Sequence, residues 1–117
     1  MKGNVILELS LDFSVSVIEF CEVLDAQKRF VIAKQLLRSG TSIGANIFEA
    51  QHAESMLDFI HKMKVAVKEA NETLYWLTLC ERTRSYPSSP ELKSEVERII
   101  TILSKIIITS RSKISKR

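Results

Sequence analysis

Three glycines and two prolines in 117 residues leave this chain few places to turn or break. That scarcity, with an apolar fraction of 45%, excludes disorder and points to an ordered, helix-rich fold. Cysteine is as scarce as proline. Cys21 and Cys80 both fall inside helical patterns, so the expectation is two reduced core thiols in a cytoplasmic protein. No basic segment followed by a continuous apolar run opens the chain, which argues against a secretion signal. No apolar run reaches the roughly 20 residues of a membrane span. The most apolar segment, Ile99 to Ile108, is broken by Thr101, Ser104 and Lys105. Acidic residues are absent after Arg98, while Lys105, Arg111, Lys113, Lys116 and Arg117 accumulate there.

What is present is amphipathic periodicity. At the start two periods compete. Val5, Leu7, Leu9, Leu11 and Phe13 alternate as a strand would, whereas Phe13, Val17, Phe20 or Cys21, and Leu24 keep helical spacing with Ser10 placed to cap them. A lone strand would find no partner, so the spacing predicts a helix over 10–26 and an extended arm over 1–9. A second helix is predicted over 28–52, with Phe30, Ala33, Leu37, Gly40, Gly44, Ile47 and Gln51 as a heptad-like seam. Ser55 followed by Asp58 reads as a capping box opening a third helix after a tight turn at Ala53 and Glu54. Its seam runs Met56, Phe59 or Ile60, Met63, Val67, Ala70, Leu74, Leu77 and Cys80. A loop at 85–89 precedes Ser89 and Pro90, an N-cap and first-turn pair, and Leu92, Val96, Ile99, Leu103, Ile106 and Ser110 mark the inner face of a fourth helix.

Four amphipathic helices on short links predict an all-α, antiparallel up-down-up-down four-helix bundle, one domain over 1–117 with a basic tail at 111–117. On a helical wheel Ile99, Ile100, Ile102, Leu103, Ile106 and Ile107 cover roughly 160°, more than the ~100° that a bundle helix needs. That surplus points to self-association.

The least helix-like stretch is Arg38 to Ala50, RSGTSIGANIFEA. Each glycine inside a helix costs about 1 kcal/mol relative to Ala, so a compensating contact is expected. Gly40 and Gly44 share one face, where another helix can approach closely. Ser39, Ser42, Asn46 and Glu49 form a polar stripe beside it, to be hydrogen-bonded to neighbouring helices or to another subunit.

Chemistry is sparse. Glu49-x-x-His52 and Asp58-x-x-His61 look like the pairs of di-iron bundles, but the fourth helix offers no carboxylate after Glu97 to complete a cage. Neither cysteine has a plausible histidine partner, Ser39 and Ser42 lie mid-helix, and no strand precedes the glycines to make a phosphate loop. No catalytic residue, metal or cofactor is therefore expected. Charge is the remaining signal. Lys34 and Arg38 lie one turn apart on the second helix, and Lys64 and Lys68 on the third. At similar heights they would merge into one wall patch contacting phosphates. Arg111, Lys113, Lys116 and Arg117 would add a basic tail, which also suits the negative end of a helix dipole.

RSGTSIGANIFEA, KMKVAVKEANETLYWL (Lys62 to Leu77) and LSKIIITSRSK (Leu103 to Lys113) together resemble the four-helix-bundle proteins of the 23S rRNA intervening-sequence family. The likeness covers nearly the whole chain. Phe48, where the family usually keeps a smaller residue, and Ala50, where many members carry Gly, depart from its pattern. Relatives include the accessory variability protein of diversity-generating retroelements, a basic homopentamer that works with a reverse transcriptase and RNA. The resemblance implies a cytoplasmic homopentamer without catalysis, with Gly40, Ser42, Gly44, Asn46 and Glu49 as its contact motif. Two functions are then expected to compete. One is a nucleic-acid-binding accessory protein for RNA or DNA. The other is an oligomeric scaffold holding a protein partner on apolar faces, away from membranes.

Overall fold

The computed structural model describes residues 4–115. Four helices fill it: α1 (Val5–Ala26), α2 (Phe30–Ala50), α3 (Met56–Arg82) and α4 (Pro90–Ser115). They pack in sequence order and close through α1 against α4. Pairs across each seam run in opposite senses. Cys21 meets Ala33 while the earlier Ser10 meets the later Gly44; Ser39 meets Thr73 while Glu49 meets Lys62. The bundle is therefore antiparallel throughout α1, α2 and α3, and Glu81–Lys93 continues the pattern into α4. It measures 54 × 23 × 22 Å.

Most caps fall where the sequence puts them. The Asp58 N–H donates to Ser55 Oγ at 3.0 Å, and the Asp58 carboxylate accepts the Glu54 N–H at 3.1 Å. Leu92 N–H donates to Ser89 Oγ at 3.2 Å, and Pro90 opens α4. These satisfy N–H groups that a helix start leaves without partners.

The expected arm over 1–9 is a correction. Residues 5–9 belong to α1; residues 1–3 lie outside the described range. Asn4, not Ser10, is the cap: its Oδ1 accepts the Leu7 N–H at 3.2 Å, and its Nδ2 donates to Gln51 Oε1 at 2.7 Å. Ile6, Leu7 and Ser10 are buried together, a 3–4 spacing hidden inside the alternating pattern. Helix α2 also starts later than the expected 28. Lys28 adopts φ 61°, and the Arg29 N–H closes back on Leu24 O at 2.9 Å, a Schellman-type end to α1.

Two seams are rotated from their predicted positions. On α2 the buried side is Ala33, Leu36, Ser39, Gly40, Ile43, Gly44, Ile47 and Ala50, leaving Phe30 and Leu37 exposed. On α4 Ile107 is buried where Ile106 is expected, and Ile106 is only half-buried. A helix at the corner of a bundle touches two neighbours, so its buried arc is centred between them and not on the most apolar heptad position.

Candidate nucleic-acid interface

Helix α2 brings its glycines against α1 of the same chain. A Cβ on Gly40 would stand 2.8 Å from Val17 Cγ1, and one on Gly44 would stand 3.2 Å from Ser14 Oγ. The polar stripe beside them is also satisfied within the chain. Thr73 Oγ1 lies 2.9 Å from Ser39 Oγ in the core, Ser42 Oγ donates to Arg38 O at 2.6 Å, Asn46 Nδ2 donates to Ser42 O at 2.8 Å, and Glu49 pairs with Lys62 at 3.3 Å. Of the two expected settings, neighbouring helices or another subunit, the contacts of Gly40, Gly44 and Ser39 are with neighbouring helices.

Arg38 is engaged. Its guanidinium bridges Glu69 at 3.0 Å and Glu72, which also accepts Trp76 Nε1–H at 3.0 Å. The hydrogen bond from Arg38, then that from Trp76, holds the Glu72 carboxyl below its ordinary value; the same bond to Glu72 raises the Arg38 guanidinium. A cation so paired has little left to offer a phosphate.

The expected single wall patch is also corrected by register. Ser39–Thr73 and Glu49–Lys62 set the heights of α2 and α3, so Lys34 stands level with Thr78 while Lys64 stands level with Phe48. At 1.5 Å per residue the Lys34/Arg38 and Lys64/Lys68 pairs are about 15 Å apart along the bundle. Arg38 also lies on the α2 side of α3, whereas Lys64 and Lys68 line a groove on its α4 side.

That groove, about 360 Å³, is lined by Val67, Ile107 and the exposed Ile108 together with Lys64, Lys68 and Arg111. It continues into a hollow of about 420 Å³ where His61 joins Lys64 and Arg111. On another flank of α4, Lys105 and Lys113 edge a hollow over Met56, Phe59 and Ile106. Tertiary packing thus gathers Lys64, Lys68, Lys105, Arg111 and Lys113 into one half of the bundle. Lys105 and His61 join the candidate residues; the sequence signal for Lys105 was its place in an acid-free stretch. Lys116 and Arg117 lie outside the described residues.

The remaining reactive groups are occupied or suppressed. Burial, with Asp25 and then Cys80 adding, pushes the Cys21 thiol up to about 12, and burial raises Cys80 as well. Neither is a thiolate near neutral pH, so neither has the form a nucleophile needs. Glu49 is paired with Lys62 and Asp58 caps α3, so the two Glu/Asp-x-x-His motifs do not converge. Among the described residues no group of three or more His, Cys, Asp or Glu side chains is placed to hold a metal ion, and no helix is long and apolar enough to cross a membrane.

A family model described as 23S rRNA-intervening sequence protein matches residues 2–106. No curated protein matches the chain. Among solved structures, a protein with unknown function from the S23 ribosomal protein family of Bacteroides thetaiotaomicron is 44% identical, with a TM-score of 0.82 over 88% of this chain and 98% of that one.

Proposed function

This chain belongs to the family of 23S rRNA-intervening sequence proteins, and we propose that it is a non-catalytic cytoplasmic accessory protein that binds RNA phosphates through its α3–α4 half. One observation carries the reading. Between Phe59 and Lys68 on α3, and from Arg98 onward on α4, there is no carboxylate. Lys64, Lys68 and Arg111 border the α3–α4 groove and Lys105 and Lys113 edge another flank of α4, and no carboxylate of these two stretches interrupts either flank, so phosphates are attracted there without regard to sequence. The groove beside Lys64, Lys68 and Arg111 is lined by aliphatic side chains, and Phe59 is the single aromatic ring beside Lys105 and Lys113, so charge and not a row of stacking rings carries the affinity. The family resemblance adds a homopentamer as the assembly to test.

The experiment is a salt titration of binding to a structured RNA. Replacing Lys64, Lys68, Lys105 and Lys113 with Gln is expected to weaken binding to every sequence and to flatten the log–log salt slope by roughly one unit per lost phosphate contact. Absence of binding by the unaltered protein at low salt would sink the reading. The apolar faces would then favour the alternative, a scaffold for a protein partner.

A further inference from the structure

His61, Lys64 and Lys68 follow one another at i, i+3 and i+7 on α3, all exposed, so they form one row of donors down a single stripe of the helix. Lys68 and Lys64 line the α3–α4 groove, and Lys64 and His61 line the hollow that the groove opens into. Arg111 lines both recesses but already has an interaction of its own, so the donors left to meet a phosphate are those of the α3 row.

The row stops at the hollow. One turn nearer the start of α3 stands Leu57, 69% exposed, and with Ile60 and Ile114 it supplies the apolar part of the lining. Beyond Leu57 comes Glu54, an exposed carboxylate that repels phosphate. Asp58, the carboxylate nearest to His61 in sequence, faces the turn before α3, where it accepts the Glu54 N–H at 3.1 Å.

We infer that the hollow takes the end of an RNA strand, with a terminal phosphomonoester held by His61 and Lys64 and its nucleoside resting on Leu57, Ile60 and Ile114. This rests on the RNA reading above and deepens it by naming the part of the RNA that is held. A strand running on past His61 would lose its cations and then meet Glu54, whereas a strand that ends there does neither. A terminal nucleotide also enters a recess more cheaply than an internal one, which must leave a stack on both of its sides. A phosphomonoester carries close to two charges at neutral pH against one for a diester, so adjacent donors favour it. At about 420 Å³ the hollow has the size of a site for one small molecule.

Three versions of one single-stranded oligoribonucleotide test it on the full chain: hydroxyls at both ends, a 5′-monophosphate, or a 3′-monophosphate. At matched ionic strength at least one phosphorylated version is expected to bind about tenfold tighter than the hydroxyl version, the size of one charge-assisted hydrogen bond. His61→Ala should remove most of that preference with unchanged helical circular dichroism, since His61 is exposed. Lys68→Gln, in the groove and not in the hollow, should weaken all three alike and keep their ratio. Equal binding of the three versions, still weakening with salt, would overturn the strand-end reading and leave RNA binding standing. A preference that survived His61→Ala would put the terminal phosphate outside the hollow and overturn it as well. If none of the three binds at low salt, both readings fall.

Discussion

Ser39 on α2 and Thr73 on α3 place their hydroxyls 2.9 Å apart with no exposure of either residue. Each hydroxyl also reaches back to its own helix, Thr73 to Glu69 O at 2.8 Å and Ser39 to Leu36 O at 3.5 Å. This is a polar clasp inside an otherwise apolar seam. Ser39→Ala is expected to cost about 1 kcal/mol in chemical denaturation, because a neutral hydrogen bond contributes about that much. Thr73→Val should cost a similar amount. The double variant should lose clearly less than the two costs added, since one interaction is removed twice. Strict additivity would show that the two hydroxyls are not coupled.

The glycines of α2 should behave unequally. Val17, fully buried, has no room to retreat from a Cβ on Gly40, so Gly40→Ala is expected to destabilise even though Ala favours helix. At Gly44 the nearest atom is the movable Ser14 Oγ, and Ala should be better tolerated there. Gly44→Leu reaches the α1 backbone and should overpack the seam by about 1–3 kcal/mol. Denaturation midpoints of the three variants give the ranking, and equal midpoints would refute the close-approach account.

Acid should release the Arg38–Glu72 pair. The Glu72 carboxyl is held below its ordinary value in the folded chain, so its contribution is present above about pH 4.5 and fades as pH falls through the folded value. Glu72→Gln is therefore expected to be slightly less stable than the unaltered protein at pH 7 and to converge with it in acid. Both partners are well exposed, which keeps the difference below about 1 kcal/mol. A gap that stayed constant from pH 7 to pH 3 would assign it to something other than ionisation.

RNA and self-assembly should interfere with each other. The phosphate contacts proposed on Lys64 and Lys68 border the exposed Ile108 on the apolar surface of α4, whose surplus points to self-association. Titrating RNA into the assembled protein at low salt is expected to lower the number of protein chains per particle, by mass action on the free form. Sedimentation with separate detection of RNA and protein would measure it. An assembly that bound RNA with its subunit number unchanged would show that phosphates are met elsewhere, on Lys105 and Lys113.

Local chemistry made much of this bundle legible in its sequence. Helix-forming periodicity, the Ser55–Asp58 and Ser89–Pro90 starts, and the small residues at Gly40 and Gly44 each act within a turn or two of their own position, so the four helices and most of their ends could be read directly. The start of α1 could not, because its alternation and its helical spacing share residues. Only burial of Ile6 and Leu7, and the reach of Asn4 to Gln51, chose between them. The basic surface depended still more on the third dimension. Sequence gives the charges on Arg38 and Lys64 but not the stagger between α2 and α3, which core packing and the Ser39–Thr73 clasp set. That stagger placed Arg38 against Glu69 and Glu72, leaving the lysines on α3 to be joined by those of α4.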